Sequence, residues 1–446
     1  MLVEAWLTRA AAARPDRTAL DTPGGACSYD ELLASARVAA EELDERGVVV
    51  GERVAIALPA GLEFAHAMHA CLLLGAVAVP LDLRLSAGER ATIAAGCGAV
   101  VDEPLRSAGA PLEGPARPWA RARHDLDATA VVIHTSGTSS APKPVELTYG
   151  NLLWSALGSA VALDLDPRER WLCALPLSHV GGLSILIRSA IYATTAVVHE
   201  RFETERVLHA LREHDVTLVS LVATTLSRLL DAGLERPPAL RCALTGGGPV
   251  PAALVRRASA AGVPVSLTYG LTESCSQVTT TPAAAIARGD RAAGPPLFCT
   301  RVCCEADGEI LVAGPTVAPG AGGPVGWLHT GDLGAFDEHG RLSVTGRRAD
   351  TIVSGGENVS PSEVEAVLEG HPGVLEAAVV GRSDGEWGEA VTAIVVGRSD
   401  PPPDGEELRA HCARALAPYK VPKRFEPRAE PLPRTRSGKL LRTELR

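Results

Sequence analysis

A hydroxyl-rich segment that follows a β-branched run is the first part of this chain whose residue types could do chemistry. The run Val131–Ile133 is typical of a buried strand, and hydroxyl residues, a glycine and a Pro-Lys pair follow it within ten residues. The residues able to contact a polyphosphate are Thr135, Ser136, Gly137, Thr138, Ser139 and Lys143. Backbone N–H groups and hydroxyls can converge on phosphate oxygens, and a lysine adds a point charge. The G-x-x-x-x-G-K-[ST] spacing of a Walker loop is absent, and a segment of this composition can also be a plain surface turn.

Three other polar segments follow predicted strands. They are Pro176-Leu177-Ser178-His179, Thr245-Gly246-Gly247-Gly248 and Thr268-Tyr269-Gly270-Leu271-Thr272-Glu273. In open α/β sheets, ligands bind at the carboxyl ends of the strands, so we expect these segments to share one edge of a sheet.

The elements that must position them alternate between short apolar strands and helical patterns. We predict helices over 5–20, 30–46, 64–74, 151–162 and 182–192, with strands at 53–58, 77–81, 171–175, 242–244 and 265–267. Such alternation predicts an α/β fold with a largely parallel sheet and helices on both faces. Residues 282–326 become rich in Gly and Pro with short alternating runs, and a small α+β pattern starts at 351, with a helix over Pro361–Glu369 that Ser360 could cap.

Composition excludes several classes of protein. A length of 446 residues predicts at least two domains, and a net charge of −10 argues against a nucleic-acid partner. The most apolar window, Phe64–Leu83, contains His66 and His69, which favours a buried helix over a membrane span. No signal peptide is visible, and ten scattered cysteines without a C-x-x-C pair predict a reducing, cytoplasmic location. Lysines are scarce in this chain, so Lys143 and Lys439 are candidates for positions that need a compact ammonium group.

Five motifs, taken in order, resemble the core motifs of adenylate-forming enzymes, which include acyl-CoA synthetases, adenylation domains and luciferases. The motifs are at 135–138, 269–273, 330–332, 346–350 and 437–439, so the resemblance covers essentially the whole chain. It implies a large N-terminal domain (residues 1–350) of βα-layered subdomains plus a small β-barrel-like part, followed by a small, mobile α+β lid (residues 351–446). Within this superfamily, residues 175–184, Arg188 and 269–277 look most like the 2-succinylbenzoate–CoA ligases of menaquinone biosynthesis.

The resemblance implies an ATP site. The loop from Thr135 to Lys143 would grip the β- and γ-phosphates, and Gly247 and Gly248 would let the backbone approach adenine. The remaining contacts would come from Tyr269 stacking on adenine beside Gly270, Thr272 on the α-phosphate, Asp332 and Arg347 on the ribose, and Glu273 with Thr138 on Mg²⁺.

The resemblance also implies a carboxylic acid and coenzyme A as the other substrates. Lys439, His179 and Thr272 would be catalytic, and His179, Arg188, Gly246 and Ser276 would bind the acid. Asp350 would be the hinge of the lid, and Gly355 and Gly356 would line the coenzyme A tunnel. Lys439 would bridge the α-phosphate and the attacking carboxylate, where negative charge builds at phosphorus.

Several alternatives stay open at this point. His179 could be a core histidine, and Arg188 could face solvent or pair structurally. The phosphate loop departs from T-S-G-T-T-G-x-P-K-G, because Ser139-Ser140 replace Thr-Gly and Pro144 replaces the final Gly. The chain could therefore be another aryl- or acyl-CoA ligase, an adenylation enzyme loading a carrier protein, or a nucleotide-binding homologue without catalysis, and a homodimer is left open.

Overall fold

The computed structural model describes residues 1–108, 123–135, 143–354, 357–384, 387–399, 401–435 and 440–445, without the side chains of Ala349 and Asn358. Seven candidate site residues lie outside the described residues: Ser136, Gly137, Thr138, Ser139, Gly355, Gly356 and Lys439. Their roles remain predictions from the sequence.

The strands are short, as the sequence predicts for a sheet covered on both faces. In chain order they are β1 (Leu2–Glu4), β2 (Thr18–Thr22), β3 (Gly25–Ser28), β4 (Arg53–Ile56), β5 (Val77–Pro80), β6 (Ala99–Val101), β7 (Arg123–Asp125), β8 (Thr129–Thr135), β9 (Lys143–Thr148), β10 (Arg170–Cys173), β11 (Thr195–Val198), β12 (Leu218–Leu221), β13 (Cys242–Thr245), β14 (Val265–Leu271), β15 (Ser276–Thr281), β16 (Arg301–Cys304), β17 (Glu309–Ala313), β18 (Leu328–Phe336), β19 (Leu342–Arg347), β20 (Ile352–Ser354), β21 (Glu357–Val359), β22 (Val374–Asp384), β23 (Gly388–Gly397) and β24 (Arg424–Arg428).

The helices lie between them. They are α1 (Trp6–Ala13), α2 (Tyr29–Glu45), α3 (Leu62–Leu74), α4 (Ala87–Ala94), α5 (Tyr149–Leu163), α6 (Val180–Tyr192), α7 (Thr204–Glu213), α8 (Ala223–Asp231), α9 (Ala252–Ala260), α10 (Ala283–Ala287), α11 (Pro361–Glu369) and α12 (Gly405–Ala413), with short 3₁₀ turns at Thr272–Ser274 and Arg348–Asp350. Within the described ranges, no helix has the length and apolar character needed to cross a membrane.

Two largely parallel sheets form the first part of the chain, which confirms the predicted α/β class. One has the order β15-β14-β13-β12-β10-β11-β2-β3, with antiparallel strands only at its two ends, and the other has the order β6-β4-β5-β8-β9. A separate antiparallel sheet, β16-β17-β18-β19, is the small β part, and β20–β24 form the sheet of the C-terminal region.

One hydrophobic core joins the two parallel sheets. It contains Ile56 and Val131 of the second sheet, Val198 of the first, and Met68 and Leu183 of helices α3 and α6. Helix α6 is buried on nearly every side, which fits a helix that is apolar except for Arg188 and two serines. The core therefore holds the carboxyl ends of both sheets in fixed positions relative to each other.

One predicted helix is wrong in its extent, and the strand after the hydroxyl-rich segment was not predicted. The helix predicted over 5–20 ends at Ala13, because Pro15 cannot occupy a helix interior, and Leu20 belongs to strand β2. The prediction also ran from the hydroxyl-rich loop straight into a helix near Asn151, but strand β9 intervenes, pairing with β8 before α5 begins.

The C-terminal region begins as predicted, with α11 over Pro361–Glu369 and Ser360 at the N-cap position. The Ser360 hydroxyl does not cap the helix, however. It donates instead to the carbonyl of Thr345 at 2.6 Å, and Ser362 donates to the same oxygen. These contacts attach the start of α11 to strand β19.

Candidate active site

The loops after β5 and β10 meet, which brings the carboxyl edges of the two parallel sheets together. His179 is the N-cap residue of α6, and its Nε2 lies 3.0 Å from Nη2 of Arg84. Asp82 holds Arg84 through two side-chain bonds of 2.8 and 2.7 Å. Burial, followed by the charge of Arg84, lowers the pKa of His179, so the imidazole is neutral near pH 7 and its Nε2 can accept from Arg84.

Tyr269, Asp332 and Arg347 come from three distant motifs and form one cluster. The hydroxyl of Tyr269 donates to Oδ2 of Asp332 at 2.9 Å, and Nε of Arg347 lies 2.9 Å from Oδ1. Asp332 is only 6% exposed, so its negative charge is compensated by Arg347 rather than by water. Burial and the nearby charge of Asp332 raise the pKa of Tyr269, which keeps its hydroxyl protonated as a donor.

Glycine is required at two positions of the site. A Cβ on Gly246 would lie 2.7 Å from the carbonyl oxygen of Thr268, and one on Gly270 would lie 1.7 Å from the carbonyl oxygen of Ser276. Gly247 has φ +78°, the left-handed region that favours glycine, whereas a Cβ on Gly248 would meet no protein atom. The loop after β13 therefore packs closely on strand β14, β14 packs closely on the start of β15, and Gly248 faces open space.

The 3₁₀ turn after β14 presents Thr272 and Glu273 at the same edge. Both are partly exposed, and the Glu273 carboxylate has no ion pair among the residues that the structure describes. Free carboxylate oxygens fit a hard cation such as Mg²⁺. Ser276, with φ +89°, opens strand β15 directly opposite Leu271.

The phosphate-loop segment is framed by the β8–β9 pair. Thr135 pairs with Lys143 in register, and its hydroxyl donates to the Lys143 carbonyl at 3.3 Å. Pro144 lies opposite His134 on β9, which is an edge strand of its sheet. An edge strand tolerates the missing N–H of proline, so this departure from the family pattern does not disturb the described sheet.

Arg188 is buried in the interior of α6 and does not face solvent. It is 2% exposed, with Nη1 donating to Oε1 of Gln277 at 2.9 Å and Nη2 donating to Oγ of Ser155 at 2.9 Å. Burial lowers the pKa of Arg188, and no carboxylate pairs with it among the described residues. Gln277 follows Ser276, so this guanidinium lies beside the predicted acid-binding strand.

The sequence prediction missed Asp82, Arg84 and Glu309. The first two follow strand β5 at its carboxyl end, so their position after a predicted strand was a usable signal. Glu309 opens strand β17 within an alternating apolar run, where a buried carboxylate is out of place.

Two family models match the chain: AMP-binding enzyme over residues 7–320, and AMP-binding enzyme C-terminal domain over residues 363–439. The chain is 39% identical to a 2-succinylbenzoate–CoA ligase of Bacillus subtilis (strain 168), over 99% of this chain and 97% of that protein.

The fold is similar to solved structures of o-succinylbenzoate CoA synthetase from Bacillus subtilis, at 38% identity. The TM-score is 0.89 for the complex with the acyl-adenylate intermediate, covering 100% of this chain and 98% of that one. It is also 0.89 for the complex with ATP and magnesium ion, covering both chains fully. A double mutant bound with its product analogue gives 0.73, covering 100% of this chain and 98% of that one.

Proposed function

The chain belongs to the AMP-binding enzyme family, and from this premise we propose that it is an ATP-dependent acid–CoA ligase acting on 2-succinylbenzoate in menaquinone biosynthesis. The observation that carries the proposal is the 39% identity, over nearly the full length of both chains, to a ligase of that name. In the first half-reaction a carboxylate oxygen bonds to the α-phosphorus of ATP, and the bond to pyrophosphate breaks. In the second, the sulfur of coenzyme A bonds to the acyl carbon and AMP leaves.

The Tyr269–Asp332–Arg347 cluster supports the nucleotide part of this proposal. A carboxylate offers roughly four lone-pair sites, and Tyr269 and Arg347 use two of those on Asp332. The remaining two could accept the ribose hydroxyls. Glu273 would hold Mg²⁺, which neutralises phosphate charge when bound, and Thr272 would donate to the α-phosphate.

The acid would lie between His179 and the β14–β15 turn. A neutral His179 carries no charge that would compete with Lys439 for the reacting carboxylate. The second carboxylate of 2-succinylbenzoate needs a cation, because burying it unpaired costs several kcal/mol. Arg188, which lacks a carboxylate partner within the described chain, is the candidate for that role.

The lid would rotate about Asp350 between the two half-reactions, removing Lys439 and admitting coenzyme A past Gly355 and Gly356. The TM-score is 0.89 against the adenylate-bound structure and 0.73 against the double mutant bound with its product analogue, at 38% identity in both comparisons, and this difference supports such a rearrangement. By TM-score, this chain is more similar to the adenylate-bound structure than to the structure with the product analogue.

An acid panel tests the proposal. Pyrophosphate release and thioester formation would be measured with ATP and coenzyme A for 2-succinylbenzoate, benzoate and a medium-chain fatty acid. We expect 2-succinylbenzoate to give the highest kcat/KM and to yield AMP and a CoA thioester. A higher kcat/KM with the fatty acid would indicate another acyl-CoA ligase. Transfer of the acyl group only to a carrier protein, supplied in place of coenzyme A, would indicate a loading enzyme. No pyrophosphate release with any acid would contradict catalysis.

A further inference from the structure

Glu309 is a buried carboxylate that contacts strand β18 next to Asp332. It is 4% exposed, opens strand β17, and has neighbours from strand β18 and from the 3₁₀ turn at Arg348. Burying a carboxylate costs free energy unless each oxygen has a hydrogen-bond or ion-pair partner. The partners of Glu309 therefore indicate which groups it holds in place.

One oxygen of Glu309 holds the backbone of strand β18 just before Asp332. Oε1 accepts the N–H of Gly331 at 3.0 Å. Gly331 has φ +69°, the N–H of Asp332 donates to Oγ1 of Thr330 at 3.1 Å, and the β17–β18 register shifts here, so the strand is locally irregular. The Thr330 hydroxyl is itself anchored, because it donates to the carbonyl of Ile310 at 2.7 Å.

The other oxygen of Glu309 contacts two side chains, Arg348 and His329. Oε2 lies 3.2 Å from Nη1 of Arg348 and 3.2 Å from Nδ1 of His329, and Arg348 also pairs with Asp307. Arg348 directly follows Arg347, whose Nε contacts Asp332. Glu309 therefore ties together the two chain segments, at 330–332 and 347–348, that present the ribose-binding pair.

We infer that Glu309 is a positioning residue for recognition of the nucleotide ribose, acting through the Gly331 N–H and Asp332. This inference rests on the proposed function, because that proposal assigns the ribose hydroxyls to Asp332. Glu309 does not touch the nucleotide itself. Its carboxylate fixes this irregular part of strand β18 so that the free lone pairs of Asp332 point to where the ribose hydroxyls would bind.

The test compares ATP with 2′-deoxyATP and 3′-deoxyATP in wild type, Glu309→Ala and Glu309→Gln. Gln keeps an oxygen that can accept from Gly331 but removes the charge, whereas Ala removes both. Because a hydrogen bond to a charged group is lost when Asp332 is displaced, Glu309→Ala should reduce the kcat/KM preference for ATP over the deoxy nucleotides about tenfold. Glu309→Gln should keep that preference within about threefold. The matched control is Glu305→Gln. Glu305 is exposed, and its carboxylate lies within 4.8 Å of Glu309 and His329, so this variant should leave the preference for ATP over the deoxy nucleotides unchanged.

A purely structural Glu309 would give a different result. Glu309→Ala would then lower the Tm and reduce activity with all three nucleotides equally, leaving the preference unchanged, and that outcome overturns the inference. Equal loss of the preference in Gln and Ala would also overturn it, because the acceptor at Gly331 would then not matter. If Glu309→Ala fails to fold, Glu309→Asp keeps the charge but shortens the arm by one methylene, and it should still lose the preference.

Calorimetric affinities for ATP and 2′-deoxyATP, measured without any acid, separate this inference from the proposed function. If the wild-type enzyme releases no pyrophosphate with any acid, the proposed ligase function is contradicted. An unchanged affinity ratio in Glu309→Ala contradicts the positioning role, whatever the acid is.

Discussion

Replacing Arg188 should damage use of a dicarboxylic acid much more than it damages the fold. The guanidinium is buried, it donates to Ser155 and Gln277 at 2.9 Å each, and its carbon lies 5.7 Å from the ring centroid of Trp171. Its Nε has no hydrogen-bond partner, and the described residues supply no counter-anion. A buried cation in this state is destabilising until an anion arrives, and the free carboxylate of 2-succinylbenzoate would be that anion.

The magnitude follows from these contacts. Losing one partner of a buried ion pair costs about 2–5 kcal/mol, which is roughly 30-fold to 4000-fold in kcat/KM. Stability should change less, because Arg188→Met loses two hydrogen bonds but also removes an uncompensated buried charge. We therefore expect its free energy of unfolding to stay within about 2 kcal/mol of wild type.

The assay is kcat/KM for pyrophosphate release with 2-succinylbenzoate and with benzoate, on wild type, Arg188→Met and Arg188→Lys. Benzoate has no second carboxylate, so its value should change less than about threefold, and lysine should restore part of the loss. Ser189→Ala is the matched control, since this neighbour on α6 is buried and its hydroxyl has no partner among the described residues. An equal loss of kcat/KM with both acids would show that Arg188 has a structural role and does not bind the second carboxylate.

Three further predictions concern the lid and pH. Lys439→Ala should abolish pyrophosphate release but spare thioester formation from pre-made acyl-adenylate, and release near the wild-type rate would remove its assigned role. Asp350→Pro should retain one half-reaction and lose the other, because proline fixes φ where a hinge must change it; equal retention of both would place the hinge elsewhere. Burial raises the pKa of Glu369 to about 7, above the roughly 4.3 of an exposed glutamate, so the folded state binds the extra proton between these values. The free energy of unfolding should therefore fall as pH rises from about 4 to 7, and Glu369→Gln should flatten that slope in urea titrations followed by tryptophan fluorescence; parallel slopes would contradict it.

The position after a short apolar strand predicted that the segments following β10 and β13 lie at the carboxyl edge of one parallel sheet. That rule does not cover Tyr269 and Asp332, because Asp332 lies within antiparallel strand β18 of a separate sheet. The family resemblance identified their two motifs separately, and the structure joins the two residues by a hydrogen bond of 2.9 Å. The pairing of Arg84 with His179 could not be predicted, because it depends on how two sheets pack around one core.

Secondary-structure prediction from the local sequence pattern also failed where a single residue overrode the helical preference of its neighbours. The alanine-rich run after Trp6 favours a long helix, yet Pro15 ends it and the chain turns into strand β2. For Arg188, the charge on an apolar helix indicated that a partner was needed. The sequence could not supply Ser155 and Gln277, which reach it from α5 and β15.

A single-turnover experiment can separate the two successive half-reactions proposed for this site. Enzyme, ATP, Mg²⁺ and 2-succinylbenzoate are mixed without coenzyme A, products are identified by mass spectrometry, and coenzyme A is then added. We expect an acyl-adenylate and pyrophosphate before coenzyme A is added, and equal amounts of AMP and CoA thioester after it. Formation of ADP and phosphate, or no adenylate until coenzyme A is present, would contradict this proposal.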